Sequence, residues 1–427
     1  MTPVQFNRLV RAVRSGRMSR RDLIAVAGVA GASAVLAACA GSAASLAPSV
    51  APSPSPVPSP APVPSPSPVP SPSPAASASA AAVSCDLPTA AAAGAPTSVG
   101  DSLAIFNWAQ YLNPDNKKLF GTLYNVPNVT EDNYPSNEDM LAKLQAGGTG
   151  QYDIVAPTGY MIEIMVKSGL AESLDLSKIP NFQYVDDRFK NLPFDSGSGT
   201  PHYIAKDWGT TGFGYRGKFV SEKPTSWADF WTLTTGKYSG KVNVLDSAPE
   251  VIGAALKMNG FSYNSVDPTE LDTALKALLA LKPHLASINS TYIPQVESGD
   301  ILIALGWNGD FASIKANKGS EDAVYVIPSE GTEFWVDTWA IPKGAPHPDA
   351  AHAFINFILT PSVQAKETNY TYYASGETVA TPCIDPAISG DASIYPSPDV
   401  ISKLEAAKDL GAGTKLRDEV WTKFKSA

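Results

Sequence analysis

From about residue 102 onward, short apolar runs alternate with stretches of helical periodicity. Residues 102–107 read as a strand running into Trp108 and Tyr111. Ser136, with Asp139 three residues later, starts a helix over residues 140–146 that Gly147-Gly148 stops. Residues 152–156 form a buried strand leading to Pro157-Thr158-Gly159-Tyr160 and the next helix. A short apolar strand at 202–205 precedes the run from Trp208 through Gly212 to Tyr215.

A second series follows. A strand at 241–245 leads to Asp246-Ser247-Ala248-Pro249-Glu250, which opens a helix running to about Asn259. Asp267-Pro268-Thr269-Glu270 caps a helix ending near Leu281. A helix near Gln295 stops at Gly299, and a strand at 301–305 delivers Gly306-Trp307-Asn308-Gly309-Asp310. Residues 322–328 lead to Phe334-Trp335-Val336-Asp337-Thr338-Trp339, whose alternation is that of a strand. Residues 348–368 are mainly helical with a break at Pro361, and two amphipathic helices close the chain. Strands alternating with helices predict an α/β fold with largely parallel sheets in two lobes.

The stretch 334–339 carries the first chemical signal. Residues two apart on a strand share a face, so Trp335, Asp337 and Trp339 point one way. Indole faces attract an organic cation electrostatically and a neighbouring carboxylate pairs with it. Two tryptophans in a core beside a turn aspartate would give the same string, so this stretch alone leaves both readings open.

The N-terminal region is an address rather than part of the fold. Six arginines between Arg8 and Arg21 precede an apolar run over residues 23–38, too short and too rich in Ala and Gly to span a membrane. Ser19-Arg20-Arg21-Asp22-Leu23-Ile24 resembles a twin-arginine export signal, and Leu36-Ala37-Ala38-Cys39 resembles a lipobox whose cysteine becomes lipidated. Proline alternates with Ser, Val or Ala over residues 47–74, a semi-stiff tether within residues 40–95. At ~3.1 Å per residue it reaches roughly 85 Å. The expectation is a lipid-anchored protein working outside the cytoplasm, in a periplasm or on the outer face of the membrane.

The chain has 32 basic and 41 acidic residues. Removing residues 1–39 takes away six arginines and Asp22, leaving a formal charge of −14. Such a surface argues against nucleic acid and draws cationic solutes. With Cys39 lipidated, Cys85 and Cys383 remain, compatible with one disulfide or with two free thiols. The four histidines are scattered, with no metal-like spacing, and no cofactor is implied.

Six stretches in one order make a resemblance specific: Asn107-Trp108-Ala109-Gln110-Tyr111, Tyr134-Pro135-Ser136-Asn137-Glu138, Tyr152-Asp153-Ile154-Val155, Thr225-Ser226-Trp227-Ala228-Asp229, Trp307-Asn308-Gly309 and Phe334-Trp335-Val336-Asp337. From about Leu103 to the end, the chain resembles the substrate-binding proteins of spermidine/putrescine ABC importers. That resemblance implies a type II periplasmic-binding-protein-like fold, two α/β lobes closing on a ligand. It places one lobe at 96–211 with 338–380, the other at 212–337 with 381–427. Activity would be binding rather than catalysis, by a monomer that delivers its solute to a membrane permease.

Carried over residue by residue, the family's aromatic box falls on Trp108, Tyr111, Tyr160, Trp307, Trp335 and Tyr373, and its carboxylates on Glu250 and Asp337. Thr158, Asp246, Ser247 and Ser290 complete the expected ligand set. Ser247 stands where a spermidine binder has a second aspartate. A lost carboxylate leaves one ammonium of a triamine poorly paired, which favours a diamine such as putrescine. Two other classes stay open: a ferric-ion binder using Tyr372 and Tyr373, and an exported hydrolase using Glu250 and Asp337.

Overall fold

The computed structural model describes residues 83–92, 98–195 and 199–427. The export signal, Cys39 and nearly all of the proposed tether lie outside the described residues. Among the described residues eleven strands follow in chain order: β1 Ser102–Trp108, β2 Asn128–Tyr134, β3 Ile154–Val155, β4 Ile204–Arg216, β5 Val242–Val244, β6 Leu285–Ile288, β7 Ile303–Trp307, β8 Ala323–Val326, β9 Glu333–Trp339, β10 Ala374–Ser375 and β11 Glu405–Ala406.

Helix starts follow the side-chain caps. The Ser136 hydroxyl accepts from the Asp139 N–H before the helix Asn137–Gln145. Ser226 and Asp229 form a full capping box before Trp227–Thr235, and Asp267 accepts from Thr269 and Glu270 before Pro268–Leu281. Gly299 ends Ile293–Ser298 with φ 80°, a left-handed turn that glycine adopts without strain.

One sheet has the order β2-β1-β3, with both pairings parallel. The larger sheet runs β11-β9-β4-β7-β5-β6, with β8 and β10 also pairing with β4. Within it β5 lies parallel to β6 and β7, while β4 runs antiparallel to β7, β8, β9 and β10. The two stretches read at 202–205 and 208–215 are thus parts of one 13-residue strand. At the C-terminus the expected pair of amphipathic helices is found as the short helix Pro398–Ile401 and the helix Thr414–Ser426, with the two-residue β11 between them.

Two large apolar cores lie among the described residues. Leu103 and Ile105 of β1 pack with Phe120, Trp339, Phe354 and Phe357 in the first. Phe213, Trp227, Phe230, Leu256, Leu278 and Phe424 belong to the second. β4 serves both, sending Ile204, Ala205 and Trp208 to the first core and Phe213 and Tyr215 to the second. Its middle, Gly209-Thr210-Thr211-Gly212, is therefore a crossing between cores. Val420 and Phe424 return the C-terminal helix to the second core, whereas Ile384, Ile388 and Ile394 still pack with the first. Cys85 is disulfide-bonded to Cys383, tying the start of the described chain to its far end.

Candidate binding site

The crossing strands carry the chemistry. Asp207 of β4 stands directly opposite Asp337 of β9, and both carboxyls are buried. The pairing register shifts between Ala205 and Asp207, a bulge at Lys206. A bulge sets two residues against one, which lets the consecutive Lys206 and Asp207 reach the same neighbour. That neighbour is Tyr111. Gln110 takes φ 60° just after β1, turning the chain sharply. The Tyr111 Oη lies 2.5 Å from Asp207 Oδ1 and 2.9 Å from Asp337 Oδ2. The Lys206 ammonium sits 3.4 Å from the Tyr111 ring centroid and 2.5 Å from Asp207 Oδ2.

Around this centre is a small aromatic cluster of Tyr111, Trp335 and Tyr373, with the partly exposed Trp108 and Trp307 packed on it. Tyr373 meets Tyr111 and Trp335 edge to face, with centroids 5.6 and 5.1 Å apart. Trp108 is fixed by its indole N–H donating to the Ala156 carbonyl at 2.9 Å. Thr158, before the helix Gly159–Lys167, bridges to Asp337 through the backbone, and its hydroxyl favours the charged carboxyl. Asn137 donates to Thr158 Oγ1 and to Tyr160 Oη, at 3.0 and 3.1 Å.

The second lobe supplies its own acid. Glu250 lies in the first turn of Ala248–Met258, where the helix N-terminus favours negative charge. The Ser247 hydroxyl donates to it, and the Trp307 indole also stabilises its charged form. Burial nevertheless pushes the Glu250 carboxyl up, with the charge of Glu138 adding to the effect. Behind it the buried Glu333 accepts from Tyr263 Oη at 2.7 Å and from the Thr211 hydroxyl at 3.2 Å. Burial, then the charge of Glu250, raises Glu333 to about 8. Asp310 accepts from Tyr373 Oη at 2.8 Å, and burial raises it to about 6.

Five carboxyls thus crowd one region, where Lys206 pairs directly with Asp207 and the charge of the buried Arg417 acts on Glu333 and Glu250. Asp337 Oδ1 and Trp335 Nε1 are buried without a hydrogen-bond partner among the described residues. A carboxylate oxygen left unpaired in an apolar wall is costly, and an ammonium group meets its requirement directly. Aromatic faces around it suit the methylenes of an alkyl amine.

Of the sequence-derived residues, Trp108, Tyr111, Trp307, Trp335 and Tyr373 come together. Thr158 and Asp337 join them, Tyr160 is linked to Thr158 through Asn137, and Ser247 touches Glu250. Tyr160 is close enough to Glu250 for that charge to act on its phenol. Asp246 is placed differently: it is exposed and paired with Lys425 at 2.5 Å, so it does not replace the missing aspartate at Ser247. Ser290 Oγ accepts from the Asp246 backbone N–H at 3.1 Å, a structural hydrogen bond. Trp339 is buried in the first core rather than in the aromatic cluster.

Tyr372 and Tyr373 separate, Tyr372 against the first core and Tyr373 in the cluster. That split removes the adjacent-phenol argument for iron. Among the described residues no three His, Cys, Asp or Glu side chains are placed to hold a metal ion. Asp207, Lys206 and Glu333 were not foreseen. The signal was available: charged residues inside apolar strand runs.

Comparison with known proteins gives consistent results. The family model described as bacterial extracellular solute-binding protein matches residues 120–393. The spermidine/putrescine-binding periplasmic protein of Salmonella typhimurium is 32% identical over 335 residues, covering 78% of this chain and 94% of that protein. The putrescine-binding periplasmic protein SpuD of Pseudomonas aeruginosa is 34% identical, covering 76% of this chain and 92% of its own. Among solved structures, a spermidine/putrescine ABC transporter substrate-binding protein of Streptococcus pneumoniae aligns with TM-score 0.66 and 30% identity, over 77% of this chain and 99% of that one.

Proposed function

The chain belongs to the bacterial extracellular solute-binding proteins, and from that premise we propose that it captures a polyamine between its lobes for an ABC importer. A diamine such as putrescine is the favoured ligand over spermidine. The observation that carries this reading is Asp337 Oδ1, buried and unpartnered beside the aromatic cluster. One ammonium pairs with Asp337, the alkyl chain lies against Trp335, Tyr111 and Trp307, and the second ammonium pairs with Glu250. Asp337, held at the β9 crossing against the first-lobe residues Tyr111 and Thr158, and Glu250 of the second lobe make binding favour the closed form, because only closure lets one ligand satisfy both.

In this reading the lobes are divided at the β4 and β9 crossings, near residues 211 and 338. Cys39 carries lipid, the proline-rich tether holds the binding domain off the membrane, and the monomer presents its ligand to a membrane permease. The family's business is binding, so no catalytic step is assigned.

The test is a calorimetric titration of the purified protein with putrescine, cadaverine, spermidine and spermine. The diamines are expected to bind more tightly than spermidine. Ser247→Asp restores a carboxylate beside Glu250 and is expected to raise the spermidine-to-putrescine affinity ratio by about tenfold, roughly 1.4 kcal/mol. Failure of every amine to bind overturns the ligand class. An unchanged ratio in Ser247→Asp overturns the account of chain-length preference.

A further inference from the structure

The Tyr111 hydroxyl has one proton and two short contacts to carboxyl oxygens, on Asp207 and Asp337. A phenol donates one hydrogen bond, and an ionised carboxylate only accepts. With both carboxyls ionised, one of these contacts would set two lone pairs against each other in a dry site. A second proton resolves this, and the neighbouring contacts say where it sits. Asp207 has its own ammonium, with Lys206 Nζ 2.5 Å from Oδ2, and is therefore the anion. Asp337 makes no ion pair among the described residues. The hydrogen-bond partner of its carboxyl is the neutral Tyr111, and the neutral Thr158 hydroxyl also favours the charged form.

We propose that Asp337 is protonated when no amine is bound, donating to Tyr111 while Tyr111 donates to Asp207, and that an ammonium group seated on Asp337 displaces this proton to solvent. The step balances simply: the O–H bond of the Asp337 carboxyl breaks, its proton leaves to water, and the ammonium keeps all its own. Asp207 and Lys206 thereby become part of the binding site without touching the ligand, as the pair that sets the charge state of Asp337. This inference rests on the amine reading of the site.

The surroundings agree. Burial first, and the charge of Asp207 next, push Asp337 up to about 7, while Lys206 opposes them. On β9 itself Glu333 faces the same field, and on the helix Pro361–Thr371 the Glu367 carboxyl interacts with both Lys206 and Asp207. From β2 Tyr134 feels the Asp337 charge, and Tyr373 feels that of Asp207. None of these adds a cation beyond Lys206. The sign follows: below about pH 7 the amine must expel a proton, so affinity falls towards tenfold per pH unit as the medium is acidified. Above that pH, Asp337 contributes no further dependence.

The experiment is carbon NMR of the amine-free protein, labelled at aspartate side-chain carboxyls and titrated between about pH 4 and pH 9. Asp337 is expected to titrate near neutrality, above the step near pH 6 expected of Asp310, and the higher step is expected to vanish in Asp337→Asn. In Asp207→Asn, which removes the like charge, the step is expected to move to lower pH. With saturating putrescine the wild-type step is expected to leave the neutral range. Absence of a neutral step assignable to Asp337 in the free protein overturns the proposal, as does a step that Asp207→Asn does not move. A step that persists unchanged under saturating putrescine, with binding confirmed by calorimetry, overturns the displacement. If calorimetry shows no amine binding, the ligand assignment and the displacement both fail, while the free-protein titration still decides where the proton is.

Discussion

Asp337→Asn is expected to abolish measurable diamine binding while leaving the protein folded. The buried Asp337 carboxyl lies on β9 within reach of Tyr111 and Thr158, with one oxygen unpartnered. Removing one member of a desolvated ion pair costs about 3–5 kcal/mol, a loss of a few hundred to a few thousand-fold in affinity. The fold tolerates the change because asparagine has the same shape and its amide donates to Tyr111 as a protonated carboxyl would. Asp246→Asn provides the contrast. That residue pairs with Lys425 at the surface, where an ion pair contributes about 0–1 kcal/mol. Calorimetry with putrescine, alongside circular dichroism and thermal melting, separates the cases. Binding by Asp337→Asn within about threefold of wild type, far from the loss expected for a buried pair, would remove Asp337 from the site.

Gly209→Ala is expected to damage stability and binding together. Gly209 of β4 pairs with Trp335 of β9, and the indole lies against the bare backbone. A Cβ at 209 would stand 2.5 Å from Trp335 Cζ2 and 2.5 Å from Asn308 Oδ1. Neither has room to yield: Trp335 packs on Tyr373, and Asn308 Oδ1 accepts from the Thr210 N–H. Overpacking of this kind costs about 1–3 kcal/mol. The melting temperature should fall by several degrees, and affinity should drop about tenfold or more as Trp335 leaves its place in the box. Gly150→Ala is the control, since nothing lies within 4 Å of its added carbon. Wild-type affinity and unchanged tryptophan fluorescence in Gly209→Ala would show that Trp335 does not form the wall assigned to it.

Much of this site is legible in the chain because its residues end strands or begin helices. Trp108 and Trp307 close apolar runs, Glu250 follows a proline at a helix start, and Asp337 interrupts an alternating strand. The structure places Trp108, Trp307 and Glu250 at those element ends. The harder features are those where polar residues sit inside strands. β2, Asn128–Tyr134, is mostly polar and largely exposed on one face, so its composition conceals it. β4 reads as two pieces because Lys206-Asp207 interrupts the apolar pattern, yet every residue of that strand is buried. A local pattern assigns such charges to the surface. Only the pairing of β4 with β9 sets Asp207 opposite Asp337, and that contact lies far away along the chain. Asp246 errs the other way: one position from Ser247, it looks equivalent in sequence but is turned to Lys425.

The central claim is that two carboxylates, Asp337 and Glu250, each hold one end of the same diamine. The most direct measurement is a calorimetric titration of the wild-type protein with putrescine and, separately, with n-butylamine, which has the same four carbons and a single ammonium. Losing one desolvated ion pair predicts that butylamine binds at least about 100-fold more weakly than putrescine. Equal affinity for the two amines, or binding of neither, would contradict the account.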